Sequence, residues 1–421
     1  MIRERNIQSF TYAAGSSQVL DLPRDAVYHI IQLSCAGVVT VAQPTTGTQC
    51  LFDDCFPFSL LKNLRLIRNG SDVVYQSNGC LLAKEHYYLN EIFPHARLYT
   101  ISSSIETLLL SSTAGALGAK GVTVPANDEG IGMTQVEFCT TTGATTANAT
   151  VNFDFQVDLY LQMGPSDLYF GSLVDARRLA TFQLILDYAA VADVTIPGSG
   201  QTVTIAASGR VLSYDQDNIA VDIDYGTFKR SQLSISNLTY GSTNQQILLT
   251  RGNYYHGIIV DCLAAKSNST VVLAHENAVL VSLINRINTN FQLRNANWED
   301  LQRKNQADGC ANAAFSGSRG LPNGTGYIYY PCTGDRASEL VPSHAFDQFD
   351  LLVQLASATT VTGPGNSAIN GPENGATTAS TNPTLNILLE EVIPGVSMGD
   401  SYPTAAQAGS RRATSAKPYA R

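Results

Sequence analysis

Six histidines, eight cysteines and scattered carboxylates are the residues of this 421-residue chain that could do chemistry. The histidines are His29, His86, His95, His256, His275 and His344. None stands in a His-x-His pair followed by a Glu and a later His, the set with which a β-barrel of the cupin kind holds a metal. The cysteines are Cys35, Cys50, Cys55, Cys80, Cys139, Cys262, Cys310 and Cys332, with no Cys-x-x-Cys and no zinc spacing. Their simplest role is as small buried apolar side chains, and the sequence assigns no disulfide pairs. Asp53-Asp54 and His275-Glu276-Asn277 offer ligands suited to a hard cation, yet read more simply as turn residues. There is no Gly-x-Ser-x-Gly elbow and no Walker A loop. The Gly-rich stretches run into polar loops, not into a helix that could cradle phosphate. No carboxylate pair stands out for glycoside hydrolysis. The sequence therefore puts forward no catalytic residue, no metal ligand and no cofactor-binding residue. Sequons at Asn69, Asn148, Asn237, Asn268 and Asn323 are what a chain rich in Asn, Ser and Thr contains by chance.

The elements available to position such residues are mostly strands. Hydrophobic residues make up 44% and charged residues 14%, with mean hydropathy −0.02. That excludes a charge-rich disordered chain and suits two domains of about 150–200 residues. A net charge of −9 and a pI of 5.1 argue against a surface that coats nucleic acid. No apolar run reaches the ~18–20 residues that span a bilayer, and MIRERNIQSF lacks the apolar core of a signal peptide.

The chain also repeats itself. Residues 24–35 read RDAVYHIIQLSC and residues 251–262 read RGNYYHGIIVDC, so Arg24, Tyr28, His29, Ile31 and Cys35 recur as Arg251, Tyr255, His256, Ile258 and Cys262. Weaker matches follow in order: Tyr12 with Tyr240, and Ser59-Leu60-Leu61 with Ser282-Leu283-Ile284. FDFQVDLYLQM at 153–163 matches FDQFDLLVQLA at 346–356, and TFQLILD at 181–187 matches TLNILLE at 384–390. Gly164-Pro165 and Gly363-Pro364 follow the third pair, and Cys139 and Cys332 match loosely. A period this long means two copies of a whole domain. Residues repeated at symmetric places, such as His29 and His256, read as structural.

Short runs rich in Val, Ile, Thr, Tyr and Phe, broken by Gly, Asn, Ser and Pro, predict strands. FDFQVDLYLQM alternates with period two, one face buried; TLNILLE alternates less and suits burial on both faces. Two segments break the pattern. CLLAKEHYYLNEIF, after Asn78-Gly79, places Leu81, Leu82, Tyr88, Leu89 and Ile92 at helical spacing, with Glu85 among them. WEDLQRKN follows Asn297, an N-cap residue with Glu299 and Asp300 in the first turn. Trp298, the single Trp, reads as a packing anchor. VTIPGSGQTVTI reads as a hairpin. The domain organisation expected is a first β-sandwich over 1–190, connecting strands with a hairpin over 191–237, a second β-sandwich over 238–396, and a mobile tail over 397–421. The tail carries Arg411, Arg412, Lys417 and Arg421 against Asp400. The fold class is all-β: two tandem eight-stranded jelly rolls related by internal duplication, with short inserted helices.

A duplicated jelly roll without an active-site signature resembles the double jelly-roll major capsid proteins of tailless icosahedral viruses. These include membrane-containing bacteriophages of the tectivirus and corticovirus kind and related archaeal and eukaryotic viruses. The resemblance covers about residues 10–395, above all RDAVYHIIQLSC/RGNYYHGIIVDC and TFQLILD/TLNILLE. It implies a structural protein rather than an enzyme, without cofactors, located in the virion shell. Its first partner is itself, as a homotrimer whose six lobes make a pseudo-hexagonal capsomer, then neighbouring capsomers and minor capsid or vertex proteins. It also implies a long outward loop at 357–383. The N-terminus (Arg3, Glu4, Arg5) and the basic tail become inward arms that touch an internal membrane or the genome. The alternative is a secreted two-domain β-sandwich that binds or hydrolyses glycans.

Overall fold

The computed structural model describes residues 2–42, 49–52, 55–90, 94–102, 105–108, 137–139, 149–161, 173–197, 200–217, 227–236, 238–239, 241, 244–264, 274–275, 280–286, 292–305, 307, 325–330, 340–355 and 384–393. The first-half strands are β1 (Arg3–Thr11), β2 (Ser17–Asp21), β3 (Val27–Ala42), β4 (Gln49–Phe52), β5 (Leu61–Arg68), β6 (Asp72–Ser77), β7 (Ala96–Ser102), β8 (Ile105–Leu108), β9 (Glu137–Cys139), β10 (Ala149–Tyr160), β11 (Val174–Asp175), β12 (Phe182–Tyr188), β13 (Thr195–Ile196) and β14 (Thr202–Gln216). Helix α1 (Gly79–Asn90) lies between β6 and β7, and the single-turn α2 (Val191–Val194) precedes β13. The second half continues with β15 (Thr227–Ile235), β16 (Gln245–Leu248), β17 (Tyr254–Ala264), β18 (Ala274–His275), β19 (Leu280–Arg286), β20 (Gln292–Asn297), helix α3 (Trp298–Asn305), β21 (Thr325–Tyr329), β22 (Val341–Pro342), β23 (Asp350–Leu355) and β24 (Thr384–Ile393).

The same two-sheet arrangement occurs twice. In the first unit, β1-β14-β3-β10-β7-β8 form one sheet and β6-β5-β12-β2 the other. In the second, β15-β24-β17 with β21 and β22 form one sheet, and β20-β19-β23-β16 the other. One apolar core lies between each pair of sheets. The two units are joined edge to edge, because β6 and β15 run parallel where Tyr75 meets Arg230.

The duplication extends to hydrogen bonds and irregularities. Tyr28 donates from its hydroxyl to the Pro23 carbonyl and Tyr255 to the Thr250 carbonyl, each five residues back. Arg24 reaches the Ala180 carbonyl and Arg251 the Asp347 carbonyl. The Tyr28 ring packs on Phe182 at 5.1 Å, and Tyr255 on Phe349 at 4.6 Å. His29 is bulged out of the β3–β14 ladder between Tyr28 and Ile30, and His256 out of the β17–β24 ladder between Tyr255 and Gly257. Their carbonyls accept from the Leu161 and Tyr330 amides, both at 3.0 Å. Skipped residues also recur at Lys62 and Val281, and at Val74 and Leu293.

This register corrects part of the expected matching. Leu61 corresponds to Leu280, since both sit across the same bulge from Tyr188 and Leu355; the match of Ser59-Leu60-Leu61 to 282–284 slips by four residues. TFQLILD is β12, whose counterpart is β23, while TLNILLE lies in β24, the counterpart of β14. Residues 153–160 of FDFQVDLYLQM lie in β10, whose counterpart is β21. These matches slipped by one strand because alternating runs look alike. VTIPGSGQTVTI makes no hairpin: β13 pairs with β4 and β14 with β3 and β1. Within 191–237 the described strands pair with both units. Strand 202–216 pairs within the first unit and 227–235 pairs with β24 of the second. AVYHIIQLSC and GVVTVA form one strand, β3. Gly37 passes through it because a Cβ there would meet the Ala206 carbonyl and the Phe153 ring, both at 2.6 Å. Tyr240, both Gly-Pro pairs, Cys310, Cys332, the loop 357–383 and the tail 397–421 lie outside the described residues.

Both expected helices form. α3 spans WEDLQRKN, and Trp298 is buried over Gly326, where a Cβ would lie 2.8 Å from the indole. α1 is capped by Asn78, whose side-chain oxygen accepts from the Leu81 amide at 2.7 Å; Ile92 lies outside the described residues. Cys55 and Cys80 form a disulfide that ties the start of α1 to the turn before β5, so these two are not simply apolar core residues. Cys35 and Cys262 are buried at equivalent positions. The bridge closes 25 residues, for which a loss of about 3 kcal/mol is expected on removal. A Cys80→Ala chain should therefore show a lower guanidinium midpoint than oxidised wild type, and equal midpoints would count against the bridge.

Candidate functional site

The most chemically loaded place in the described chain is the junction where α1 of the first unit rests on the second-unit sheet. α1 is buried over most of its surface: Leu81, Leu82, Ala83, Lys84, Glu85 and Tyr87 are each at most 1% exposed. A helix enclosed in this way cannot leave Lys84 and Glu85 in water, so each must find a partner. Lys84 pairs with Asp261 of β17, and Glu85 with Arg230 of β15. Tyr88 donates to the Thr325 carbonyl of β21 at 3.1 Å, and its ring packs on Tyr327 at 5.4 Å.

Arg230 is 1% exposed. Its guanidinium also donates to the Tyr160 carbonyl and lies between the rings of Phe228 at 4.2 Å and Tyr75 at 5.1 Å. Tyr75 in turn donates to Glu85. On the far side, Glu390 of β24 accepts from Tyr327 at 2.7 Å and lies 2.8 Å from His256 Nδ1. Gly257 makes room for this group, because a Cβ there would lie 2.6 Å from both the Glu390 carboxylate and the Tyr327 ring.

Burial pushes the Glu85 carboxyl up, against the pull of Arg230, and the Glu390 charge adds to the rise. Burial alone would also raise Glu390, but His256, Arg230 and Tyr327 together hold it below its ordinary value. Burial and the Glu85 charge push the Tyr75 hydroxyl well up. Burial works against the Arg230 charge, yet Glu85, Tyr75 and Glu390 hold its affinity for the proton above the ordinary range. The arrangement locks two units together. Its charged groups are spent mainly on one another, as a fastening requires, although Oε1 of Glu390 is buried without a hydrogen bond.

The histidines are dispersed. His256 belongs to the junction; His29, its counterpart, bonds Gln216 and feels the buried Asp215 from further off, because Tyr214 stands where Glu390 would be. Burial lowers both His29 and His86. His95 contacts Asp154 at 2.6 Å beside Arg97, and His344 packs on the Tyr254 ring. Asp53-Asp54 and Glu276-Asn277 lie outside the described residues. Among the described residues no cluster of His, Cys, Asp or Glu could hold a metal ion, and no helix is long and apolar enough to cross a membrane.

Arg3 and Arg5, expected in an inward arm, are instead in β1 and committed to carboxylates of their own unit. Arg3 bonds Asp215 at 2.7 Å, and Arg5 bonds Asp215 at 2.6 Å and Asp25 at 2.8 Å. Nothing in the sequence singled out Lys84, Arg230, Asp261 or Glu390, and Glu85 stood out only as a member of the helical segment. The available signal was in α1, where the charged pair is flanked by Leu81, Leu82, Tyr87 and Tyr88, leaving no continuous polar face.

No protein-family model and no curated protein matches the chain. Solved structures do. The crystal structure of the STIV MCP aligns with 95% of this chain and 99% of its own, at 14% identity and a TM-score of 0.58. The atomic structure of Sulfolobus turreted icosahedral virus aligns with 97% of this chain and 95% of its own, at 15% identity and 0.59. The Sputnik virophage structure aligns with 98% of this chain and 94% of its own, at 12% identity and 0.50. With the two-unit topology, these likenesses establish the class: the chain has the double jelly-roll fold.

Two outcomes follow from the junction. Arg230→Met should lose about 3–5 kcal/mol of stability, because Glu85 is left buried without its cation. The double variant with Glu85→Leu should recover much of the loss; denaturant titration of all three chains measures this. Glu390, depressed below its ordinary value of 4.5, makes a stability contribution that is full above about 4.5. It is lost as pH falls further and Glu390 protonates in the folded chain. The urea midpoint of wild type should therefore fall more steeply below pH 4.5 than that of Glu390→Gln, and parallel curves would contradict the assignment.

Proposed function

We propose that this chain is the major capsid protein of a tailless icosahedral virus and acts as a structural unit of the virion shell. The observation that carries the reading is the pairing of a double jelly-roll fold over nearly the whole chain with a buried fastening between the two units. Both solved relatives with the highest TM-scores quoted above come from an icosahedral virus. The first jelly roll ends with β14 and the second begins with β15, as strand pairing supports. Two similar lobes per chain, held at one fixed angle, suit a homotrimer with six lobes, a shape that tiles a flat facet. Copies of the capsomer then contact one another, and minor capsid or vertex proteins fill the places where sixfold tiling fails. The basic segment 397–421 suits contact with an internal membrane or the genome.

Purified chain should sediment as three copies. Negative-stain images should show six-lobed particles that form sheets at high concentration. A monomer at every concentration, or one that cleaves or binds glycans, would sink the reading.

A further inference from the structure

One acid of the junction is answered differently from the others. Arg230 and Glu390 stand opposite each other in the β15–β24 ladder and so share one face, while Lys229 and Glu391 pair on the other. The groups around His256 of β17 are Glu390 of β24 at 2.8 Å, Tyr327 of β21 on the same carboxylate, and the Phe228 ring of β15. Beyond them lie Arg230 of β15, Glu85 of α1 and Tyr75 of β6, and, along β17, Asp261 with Lys84 of α1. His344 packs on Tyr254 of the same strand.

Asp261 is answered by Lys84 and Glu85 by Arg230. What answers Glu390 directly is an imidazole, whose charge is conditional. Glu390 is 0% exposed and His256 2%. An acid buried so deeply stays ionised only against a cation. Arg230, already bound to Glu85, pulls on Glu390 less than His256 does. Oε1 of Glu390 has no hydrogen bond, so its bonds run through Oε2, to His256 and Tyr327.

The duplication isolates this pair. His29 holds the same bulged place in β3, with Tyr214 where Glu390 would be. There burial lowers the affinity of the ring for a proton, and its Nε2 is buried without a hydrogen bond. The same histidine on the same bulge is set directly against an acid in the sheet on which α1 rests, and not in the other.

We infer that the junction is a lock held by one proton. His256 carries it, as an imidazolium against Glu390, and while it is bound α1 sits among balanced charges. When the proton leaves to water in mildly alkaline solution, Glu390 and Glu85 are left sharing Arg230. α1 then loosens on the second-unit sheet, and the angle between the units is free to change. The folded chain brings an acid to the ring and the unfolded chain does not, so stability is lost as the pH rises and the ring gives up its proton. Falling pH acts elsewhere, on Glu390 itself. The lock belongs to a single chain and stands whether or not copies associate.

Hydrogen exchange of the full-length chain at about pH 6 and about pH 9, corrected for the chemical effect of pH on amides, tests this. In wild type, the α1 amides should be about tenfold less protected at the higher pH, while those of β12 should not change. His256→Gln, which can neither gain nor lose the charge, should show the same α1 protection at both pH values, and so should Glu390→Gln. Equal α1 protection in wild type at the two pH values overturns the lock, and that measurement needs no variant to fold. A loss shared equally by β12 is global unfolding and overturns it too. A folded His256→Gln chain that still loses α1 protection at the higher pH overturns the assignment to His256.

Discussion

The architecture turns on a single buried cation. Arg230 carries a full charge in a place with almost no access to water, and only the combination of Glu85, the Tyr160 carbonyl and two aromatic faces makes that tolerable. Those groups come from α1, β10, β6 and β15 itself. Moving α1 along the second-unit sheet by even one turn would strand Arg230 and Glu85 together. An apolar junction of equal area would tolerate sliding; an ionic one accepts a single register. In the proposed capsomer, whose two lobes per chain would stand at one angle, that exclusiveness is worth more than the net stability of the pair.

The duplicated and divergent parts divide along the same line. Features inside each unit recur: the Tyr28 and Tyr255 hydroxyl bonds, the Arg24 and Arg251 clamps, the aromatic pairs and the bulges. These solve one packing problem, and two copies of the same sandwich keep the same solution. One inward acid keeps its place but not its partners: Asp215, fully buried, is served by Arg3 and Arg5, whereas its counterpart Glu391 accepts from Ser231 and Asn253. The outer faces do not recur. Glu390 has become Tyr214 across the duplication. Each outer face meets a different neighbour, so nothing keeps them alike.

This division also explains what could be read without coordinates. The repeat of Arg, Tyr, His and Cys was legible because those side chains make specific bonds at fixed spacings, and Asn297 announced α3 through its capping chemistry. The later matches failed because Leu184 and Leu186 alternate in β12 as Leu351 and Val353 do in β23, and as many other strand residues do; alternation says that a face is buried, not which strand it belongs to. The junction was harder still. Lys84 and Glu85 in a helix ordinarily mean a solvated side, and Arg230 in a strand an outward one. Their partners lie far off in sequence, 145 residues apart for Glu85 and Arg230, and pairing at that range leaves no local signature. The Cys55–Cys80 bridge was equally hidden, since spacing alone does not choose among eight cysteines.

One sequence feature did carry the tertiary contact. TLNILLE loses its alternation, and β24 is buried along nearly its whole length, on both faces. β14 holds the same place in the first unit and keeps alternating, with Ser208 and Arg210 outward and exposed and Leu212 half-buried. The two strands have the same neighbours by topology, so the difference reports only what lies on their outer surfaces. An uncovered strand must satisfy water on that side and a covered one must not, and this requirement acts on every second residue. Within a duplicated fold, comparing the alternation of equivalent strands thus reads out which face another body covers. The half-apolar outer face of β14, polar toward one end and carrying Leu212 and Tyr214 toward the other beside Ile2, is the pattern of a surface that is wet in the isolated chain and partly apolar where α1 covers its twin.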